Sequence, residues 1–181
     1  TSLCEPSDSA FQIWLTGITT LTSSGLTCLL TNTSFEVPIG AEWLEVNSGG
    51  GIYDRRLPYG LSYDGSYLYA LQANGKTEYV RQTVSASGVS GDSYSLTSYF
   101  GARGLSTSGL MGHYVQVMNG ASVVKTYICP FARPGATFMW RLHTCNFTTT
   151  GSYDSIRVII FIYKIPSGIA GFDAVDLVQT G

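Results

Sequence analysis

The sequence predicts an all-β fold, an antiparallel β-sandwich of the jelly-roll type, as a single domain over residues 1–181. Three observations predict it. Short runs of β-branched and aromatic residues recur along the chain, separated by Gly, Asn, Asp and Pro. Two Asn-Gly pairs stand between such runs, and no window of about eleven residues or more shows helical spacing of its apolar residues. The length is usual for an undivided sandwich or barrel.

The N-terminal part contains four short candidate strands, at residues 12–15, 26–31, 34–37 and 42–46. Pro38 ends the third because proline cannot donate to a strand ladder. The triple glycine 49–51 follows the fourth as a flexible loop or a bulged edge. Residues 18–25 are small and polar, which is typical of a loop.

Asn-Gly turns predict two β-hairpins, because both residues tolerate positive φ. Asn74-Gly75 stands between candidate strands 67–73 and 76–85, and Asn119-Gly120 between 114–118 and 122–128. Asp64-Gly65 and Gly91-Asp92 predict two further turns. Residues 101–110 are small and polar and are expected to form a loop.

The C-terminal part is equally rich in strand formers. Residues 137–144 and 156–165 are dominated by Ile, Val, Phe, Tyr and Trp. The polar stretch 146–155 joins them, Pro166 ends the second, and 175–179 is a candidate last strand. The whole pattern predicts about twelve short strands and favours a sandwich, jelly roll or closed barrel.

Composition favours a protein outside the cytosol. Charged residues make up 12% of the chain, against about a quarter in a usual soluble domain. The ten cationic residues are scattered, so the basic stripe of a nucleic-acid-binding protein is missing. No apolar run reaches the roughly 18 residues of a membrane-spanning helix. We therefore expect an extracellular or virion-surface protein that binds no nucleic acid and does not insert into membranes. A start at Thr1 is expected of a mature secreted protein or of a fragment.

Four cysteines are present, without the CxxC spacing of a zinc or redox motif. Three pairings are open, among them the two local disulfides Cys4–Cys28 and Cys129–Cys145, and the alternative is four buried free thiols. Asn32 and Asn146 each begin an Asn-x-Ser/Thr triplet and are candidate N-glycosylation sites in a secretory setting.

No motif predicts catalysis, a metal site or a cofactor. His113 and His143 each lie in a predicted strand among apolar neighbours, which is typical of structural histidines. Neither HExxH, nor a P-loop, nor G-x-S-x-G occurs.

The alternative is a glycosidase that uses two facing carboxylates. Its candidates are Glu42, Glu45 and Glu78. Glu42 and Glu45 are three residues apart in a predicted strand and point to opposite faces, so at most one of them can face Glu78. We expect solvent-facing glutamates instead. The Tyr-, Ser-, Thr- and Gly-rich composition resembles that of small secreted xylanases, although none of their motifs surrounds these acids.

Residues 52–69 hold five of the twelve tyrosines and the adjacent pair Arg55-Arg56. Tyr and Arg dominate contact energies at interfaces, and an Arg forms bidentate pairs with carboxylates. A second candidate surface is the polar loop 97–108. The predicted ligand-binding residues are Tyr53, Arg55, Arg56, Tyr59, Tyr63, Tyr99 and Arg103. Purely structural roles compete with binding: Tyr67 and Tyr69 can pack across strands, and the two arginines can pair with Asp54 and Asp64.

Over its whole length the composition resembles that of receptor-binding heads of viral fibres and spikes, which are compact β-domains of similar size, low in charge and rich in Ser, Thr, Gly and Tyr. Residues 173–181 differ from the ending of mammalian adenovirus fibre heads. The resemblance implies a non-enzymatic recognition domain that binds a host glycan or protein receptor and forms a homo-oligomer, with a trimer favoured. The alternatives are a structural jelly-roll coat protein, a secreted lectin-like or cell-surface interaction module, and the carboxylate-pair glycoside hydrolase.

Overall fold

The computed structural model describes residues 28–40, 42–47, 55–58 and 62–181, with the backbone alone for residues 47 and 55–58. This part of the chain contains ten β-strands and no helix. The strands are β1 (Trp43–Asn47), β2 (Arg55–Pro58), β3 (Tyr67–Gln72), β4 (Thr77–Gly88), β5 (Ser93–Arg103), β6 (Leu110–Asn119), β7 (Ser122–Pro130), β8 (Phe138–Thr148), β9 (Tyr153–Tyr163) and β10 (Ile169–Gln179).

The strands form two five-stranded antiparallel sheets that pack face to face. The order in the first sheet is β1-β4-β9-β6-β7, and in the second sheet β2-β3-β10-β5-β8. This confirms the predicted antiparallel β-sandwich. Because side chains alternate along each strand, each sheet has an inner face toward the core and an outer face away from it.

The core lies between the two inner faces. The first sheet contributes alternate residues of β4, β9 and β6, and the second sheet those of β3, β10 and β5. Its largest fully buried side chains include Trp43, Tyr69, Phe35, Phe100, Phe172, Leu71 and Leu96. Burying each large apolar side chain contributes roughly 1.5–3 kcal/mol, so this core dominates the stability of the fold.

The two Asn-Gly turns have different outcomes. Asn119-Gly120 closes the predicted hairpin of β6 and β7, and Gly120 has a φ of 56°. Asn74-Gly75 also forms a turn, but β3 belongs to the second sheet and β4 to the first, so the predicted hairpin of these strands is wrong. The Gly75 amide donates to the Ile165 carbonyl at the end of the sandwich, where the chain crosses from one sheet to the other.

Other predicted boundaries also shift. Loops were expected at 97–108 and 101–110, but the observed loop comprises only residues 104–109. Strand β5 extends to Arg103 because it pairs with β10 on one side and β8 on the other. Likewise β8 and β9 take up much of the polar stretch 146–155 and leave 149–152 as the connection. Of residues 26–31, the described ones form only an isolated bridge from Cys28 to Val178. Residues 12–15, 18–25 and 49–51 lie outside the described residues.

The strand expected at 34–37 is wrong. Asn32 and Phe35 have positive φ values of 50° and 56°, which break an extended ladder. The Asn32 side chain donates to the Val37 carbonyl and accepts from the Val37 amide, which closes a compact loop. Asn commonly stabilises such turns in this way.

Candidate functional site

The structure distributes the predicted ligand-binding residues over the second sheet. Tyr53 and Tyr59 lie outside the described residues. Arg55 and Arg56 start β2 at the sheet edge, opposite Ala70 and Tyr69 in register, so part of the stretch expected to be loop is a strand. Tyr63 precedes β3, whereas Tyr99 and Arg103 lie on β5.

Of these residues, the structure brings Tyr63 and Tyr99 into direct contact. Their rings stack with centroids 3.4 Å apart and an interplanar angle of 14°. The hydrogen bond with Tyr99, together with burial and the nearby charges, raises the pKa of Tyr63 to about 12. Each ring therefore covers one face of the other, which reduces the surface that either offers to a ligand.

Two carboxylates anchor the loop that carries Tyr63. Oδ2 of Asp173 accepts the backbone amides of Tyr63 and Asp64 at 2.8 and 3.0 Å. Oε1 of Glu36 accepts those of Ser66 and Tyr67, each at 2.9 Å. Burial raises the pKa of Asp173 to about 7, against the lowering effect of its backbone hydrogen bonds. This loop is therefore fixed by one buried and one partly buried carboxylate.

Much of the outer face of the second sheet is already covered. Leu68 and Ala70 are buried there, and the Trp140 ring packs against them. That ring lies over Gly101 and Gly171, where an added Cβ would come within 3.3 and 3.2 Å of it. The second candidate loop is fixed as well: Arg133 donates to the carbonyl oxygens of residues 106–109.

The outer face of the first sheet is more open. Three rows of paired residues cross its central part. The first row is Val46, Tyr79, Phe161, Gly112 and Pro130; the second is Leu44, Arg81, Ile159, Tyr114 and Ile128; the third is Thr83, Arg157, Gln116 and Thr126. Leu44 and Ile128, at the two edges, are 48% and 58% exposed. We call this surface the tyrosine–arginine face.

Several polar groups on the tyrosine–arginine face have no hydrogen-bond partner among the described residues. The hydroxyls of Tyr79 and Tyr114 and the guanidinium of Arg81 form no hydrogen bond within the described part of the chain, and all three side chains are half-buried. Arg157 is held in place: its Nε donates to Thr83 Oγ1 at 3.3 Å and its Nη1 to Gln116 Oε1 at 3.1 Å. A binding surface typically combines apolar area with a few such placed polar groups.

The sequence alone did not point to this face. Its residues come from separate strands, β4, β9 and β6, and each strand contributes them at alternate positions. No single segment is therefore unusual in composition, in contrast to residues 52–69. The alternation of Tyr79, Arg81 and Thr83 with buried residues was the available signal, but only the register places them beside Arg157 and Tyr114.

His113 is fully buried between the sheets, and His143 beside it is half-buried. His113 Nε2 lies 2.6 Å from Ser98 Oγ, and the His113 and His143 rings are 4.6 Å apart. Burial lowers the pKa of both, and that of His113 falls well below its usual range. Within the described residues, no three His, Cys, Asp or Glu side chains are grouped to hold a metal ion, and no helix is long and apolar enough to cross a membrane.

Of the glutamates of the glycosidase alternative, Glu45 and Glu78 are diagonal neighbours on the adjacent strands β1 and β4. Glu78 is fully buried in the core and accepts a hydrogen bond from Asn74, in contrast to the solvent-facing position expected for it. Glu45 pairs with Val80 in register, and Glu42 precedes β1 at the edge of the sheet.

The cysteines and the two sequons occupy defined positions. Cys129 and Cys145 form a disulfide that joins β7 and β8, edge strands of the two sheets. Cys4 lies outside the described residues. Asn146 is exposed on β8, whereas the Asn32 amide is engaged in the loop described above.

Comparisons with known proteins show similarity of fold. No family model and no curated protein sequence matches the chain. An arabinose-bound α-L-arabinofuranosidase (MgGH51) matches with a TM-score of 0.67 and 16% identity, over 87% of this chain and 27% of that one. Tailspike protein 4 of bacteriophage CBA120 matches with a TM-score of 0.60 and 13% identity, over 84% of this chain and 21% of that one.

A third similar structure is of this chain's own size. The CBM22-1 xylan-binding domain of Paenibacillus barcinonensis Xyn10C matches with a TM-score of 0.62 and 11% identity, over 87% of this chain and 97% of that one. The first two matches, by contrast, show that the chain spans about a quarter of those longer proteins. This fold therefore occurs both as a carbohydrate-binding module and within larger glycan-acting proteins.

Proposed function

We propose that this domain binds glycans through the tyrosine–arginine face and does not cleave them. The observation that carries the proposal is a pair of half-buried tyrosines near Arg81, Tyr79 two residues away on β4 and Tyr114 in the same row on β6. Their hydroxyls form no hydrogen bond with a described residue. Sugar rings combine apolar C–H faces with hydroxyl rims. An aromatic ring with a polar end complements both.

The dimensions of the face suit an extended chain of sugars. Neighbouring strands lie about 4.8 Å apart, so the five strands of this sheet span roughly 19 Å. The rows run perpendicular to the strands and place Arg81, Ile159 and Tyr114 side by side. The match to a xylan-binding domain over nearly its full length supports the same use of the fold.

A purely binding role agrees with the positions of the carboxylates. A glycosidase needs two carboxyl groups about 5–10 Å apart on opposite sides of the bound sugar. Glu42 lines a cleft with Arg81 at the edge of the tyrosine–arginine face, whereas Glu78, the predicted catalytic partner, is inside the core. We therefore propose recognition of a glycan rather than its cleavage.

The larger setting we propose is attachment outside the cell or on a virion. The phage tailspike match shows that a domain of this fold occurs within a much longer virion protein. As such a domain, the chain would act as a receptor-binding head, with a homotrimer as the favoured assembly. A coat-protein role would instead bury the tyrosine–arginine face between copies, and assembly into large particles would identify it.

The test is a comparison of the two outer faces. Tyr79→Ala and Tyr114→Ala remove rings from the tyrosine–arginine face, and Tyr99→Ala removes a ring from the outer face of the second sheet as the matched control. Affinity electrophoresis against a panel of soluble polysaccharides, followed by calorimetry, measures the Kd of each variant. Circular dichroism checks that each variant folds.

We expect Tyr79→Ala and Tyr114→Ala each to weaken binding on the order of tenfold or more, as expected for aromatic residues central to an interface, and Tyr99→Ala to leave it unchanged. If Tyr99→Ala alone lost binding, the binding site would lie instead at residues 52–69 and 97–108, as predicted from the sequence. No binding by the unmodified protein to any glycan would overturn the proposal.

A further inference from the structure

The charged side chains of the tyrosine–arginine face are arginines. Arg81 and Arg157 belong to the adjacent strands β4 and β9, where Arg81 pairs with Ile159 and Arg157 with Thr83. They are therefore diagonal neighbours on one face, with Cα atoms roughly 7–8 Å apart. A single ligand unit that lies across the two strands can reach both guanidinium groups.

Arg81 has apolar neighbours in its row and forms no ion pair with a described residue. Its neighbours in the row are Leu44 and Ile159, and it forms no ion pair or hydrogen bond within the described part of the chain. The hydrocarbon stem of an arginine packs well on such neighbours while its guanidinium remains accessible. A guanidinium in this environment favours an anion that it can hold in a bidentate manner.

Arg157 is oriented by neutral groups. Thr83 Oγ1 and Gln116 Oε1 accept from its Nε and Nη1, which fixes the plane of the guanidinium, and neither acceptor compensates its charge. Nη2 forms no hydrogen bond with a described residue. This arrangement preorganises the donor, which lowers the entropy lost when an anion binds.

Most of the described carboxylates lie in the core or bind loops, and Glu45 lies on the same side of β1 as the core residue Trp43. Glu78, Asp173 and Asp176 are buried in the fold. Glu36, Asp92 and Asp154 accept backbone amides of loops or turns. Glu42 is the acid nearest to Arg81: the two line one edge cleft of about 380 Å³, and Glu42 accepts a hydrogen bond from Asn32. Although the chain has a net charge of −2, the charged residues in the three rows of this face are the two arginines, so the face is positively charged.

We propose that the glycan bound by this face is acidic and carries carboxylate or sulfate groups that lie against Arg81 and Arg157, while Tyr79 and Tyr114 contact the sugar rings. The inference rests on the proposed function and names its ligand class. A neutral glycan needs only hydroxyl partners. Two arginines that form no ion pair with a described carboxylate give selectivity for an anionic sugar instead.

The experiment compares polymers that differ only in charge. Calorimetry measures binding to polygalacturonate and to its carboxyl-reduced form, and to dextran sulfate and dextran, all at about 0.15 M salt to screen non-specific attraction. Arg81→Gln and Arg157→Gln remove the proposed contacts. Arg141→Gln, an exposed arginine on β8 of the second sheet, is the matched control.

We expect the protein to bind a charged polymer at least about tenfold more tightly than its neutral partner, the range of one charge-assisted hydrogen bond. Arg81→Gln and Arg157→Gln should each reduce that preference about tenfold, and Arg141→Gln should not. A preference confined to the dextran sulfate pair supports the anion site and identifies sulfate as its ligand group.

Three results would overturn the inference. Equal binding to charged and neutral polymers refutes it and leaves the proposed function standing. An equal loss in all three arginine variants shows attraction to overall charge rather than a site. Binding to none of these polymers, nor to any other in the panel used for the tyrosine variants, removes the proposed function as well.

Discussion

Asp173 gives the fold a pH dependence that a single substitution isolates. The residue is completely buried and holds the loop that carries Tyr63 through backbone amides. Loss of solvation raises the pKa of its carboxyl to about 7, from 3.8 in the unfolded chain. The substitution Asp173→Asn removes the titration and keeps the shape of the side chain.

The magnitude follows from this difference in pKa. Since one pKa unit corresponds to about 1.4 kcal/mol, the contribution of Asp173 to the free energy of unfolding changes by roughly 4 kcal/mol between its two protonation states. The folded state binds the proton more tightly than the unfolded state. The stabilisation is therefore fully present below about pH 4 and is lost as the pH rises through about 7.

Urea unfolding of both proteins at several pH values between 4 and 8 measures the effect. The other titrating groups, His113 and His143 among them, are common to both proteins and cancel in the comparison. We expect the unmodified protein to lose about 4 kcal/mol relative to Asp173→Asn across this range. A difference that is constant with pH, or that grows in favour of the unmodified protein, would refute the reasoning, because it would mean that the amides keep Asp173 ionised.

Further predictions concern the disulfide, the sequons and one glycine. Replacing Cys129 and Cys145 by serine should lower the free energy of unfolding by about 3 kcal/mol, from the entropy of a loop with a sequence separation of 16; an unchanged urea midpoint contradicts this. After secretion from a eukaryotic cell, mass spectrometry should find a glycan on Asn146 and none on Asn32, whose amide is engaged; the reverse pattern would show that the 32–37 loop opens. Gly112→Ala should disrupt the pairing of β6 and β7 and abolish folding or lower Tm by several degrees, since its Cβ would lie 2.2 Å from the Cys129 carbonyl oxygen; a variant of unchanged Tm refutes that close approach.

The fold class was predictable because local chemistry determines it. Alternating β-forming residues predict strands, and Asn-Gly pairs predict reversals of the chain direction. Both hold whichever sheet the strands join. The choice of sheet is a tertiary property. Asn74-Gly75 and Asn119-Gly120 have the same local pattern, yet one joins two sheets and the other closes a hairpin.

The missed strand β5 shows a second limit. Its alternation of Tyr94, Leu96 and Phe100 with polar residues was present in the sequence, but the Ser- and Thr-rich composition is also typical of loops. Pairing with β10 and β8 on both sides decides the outcome. Propensity is therefore overridden by the neighbours that a strand acquires in the sheet.

The candidate site was hidden for a related reason. Clustering in the sequence drew attention to residues 52–69, whereas the structure stacks the ring of Tyr63 on that of Tyr99. The residues of the tyrosine–arginine face come together only through the register of β4, β9 and β6. Their proximity follows from strand order, which a single sequence does not specify.

Because the chain passes repeatedly between the two sheets, the tyrosine–arginine face cannot be produced as a short fragment of the protein. β4 and β9, which carry Arg81 and Arg157, are neighbours in space, with four strands of the sequence between them, two of which belong to the opposite sheet. No short peptide and no isolated hairpin contains the tyrosine–arginine face. It exists only in a completed sandwich, so ligand binding reports directly on the folded fraction, and saturating ligand raises the melting temperature of the whole domain.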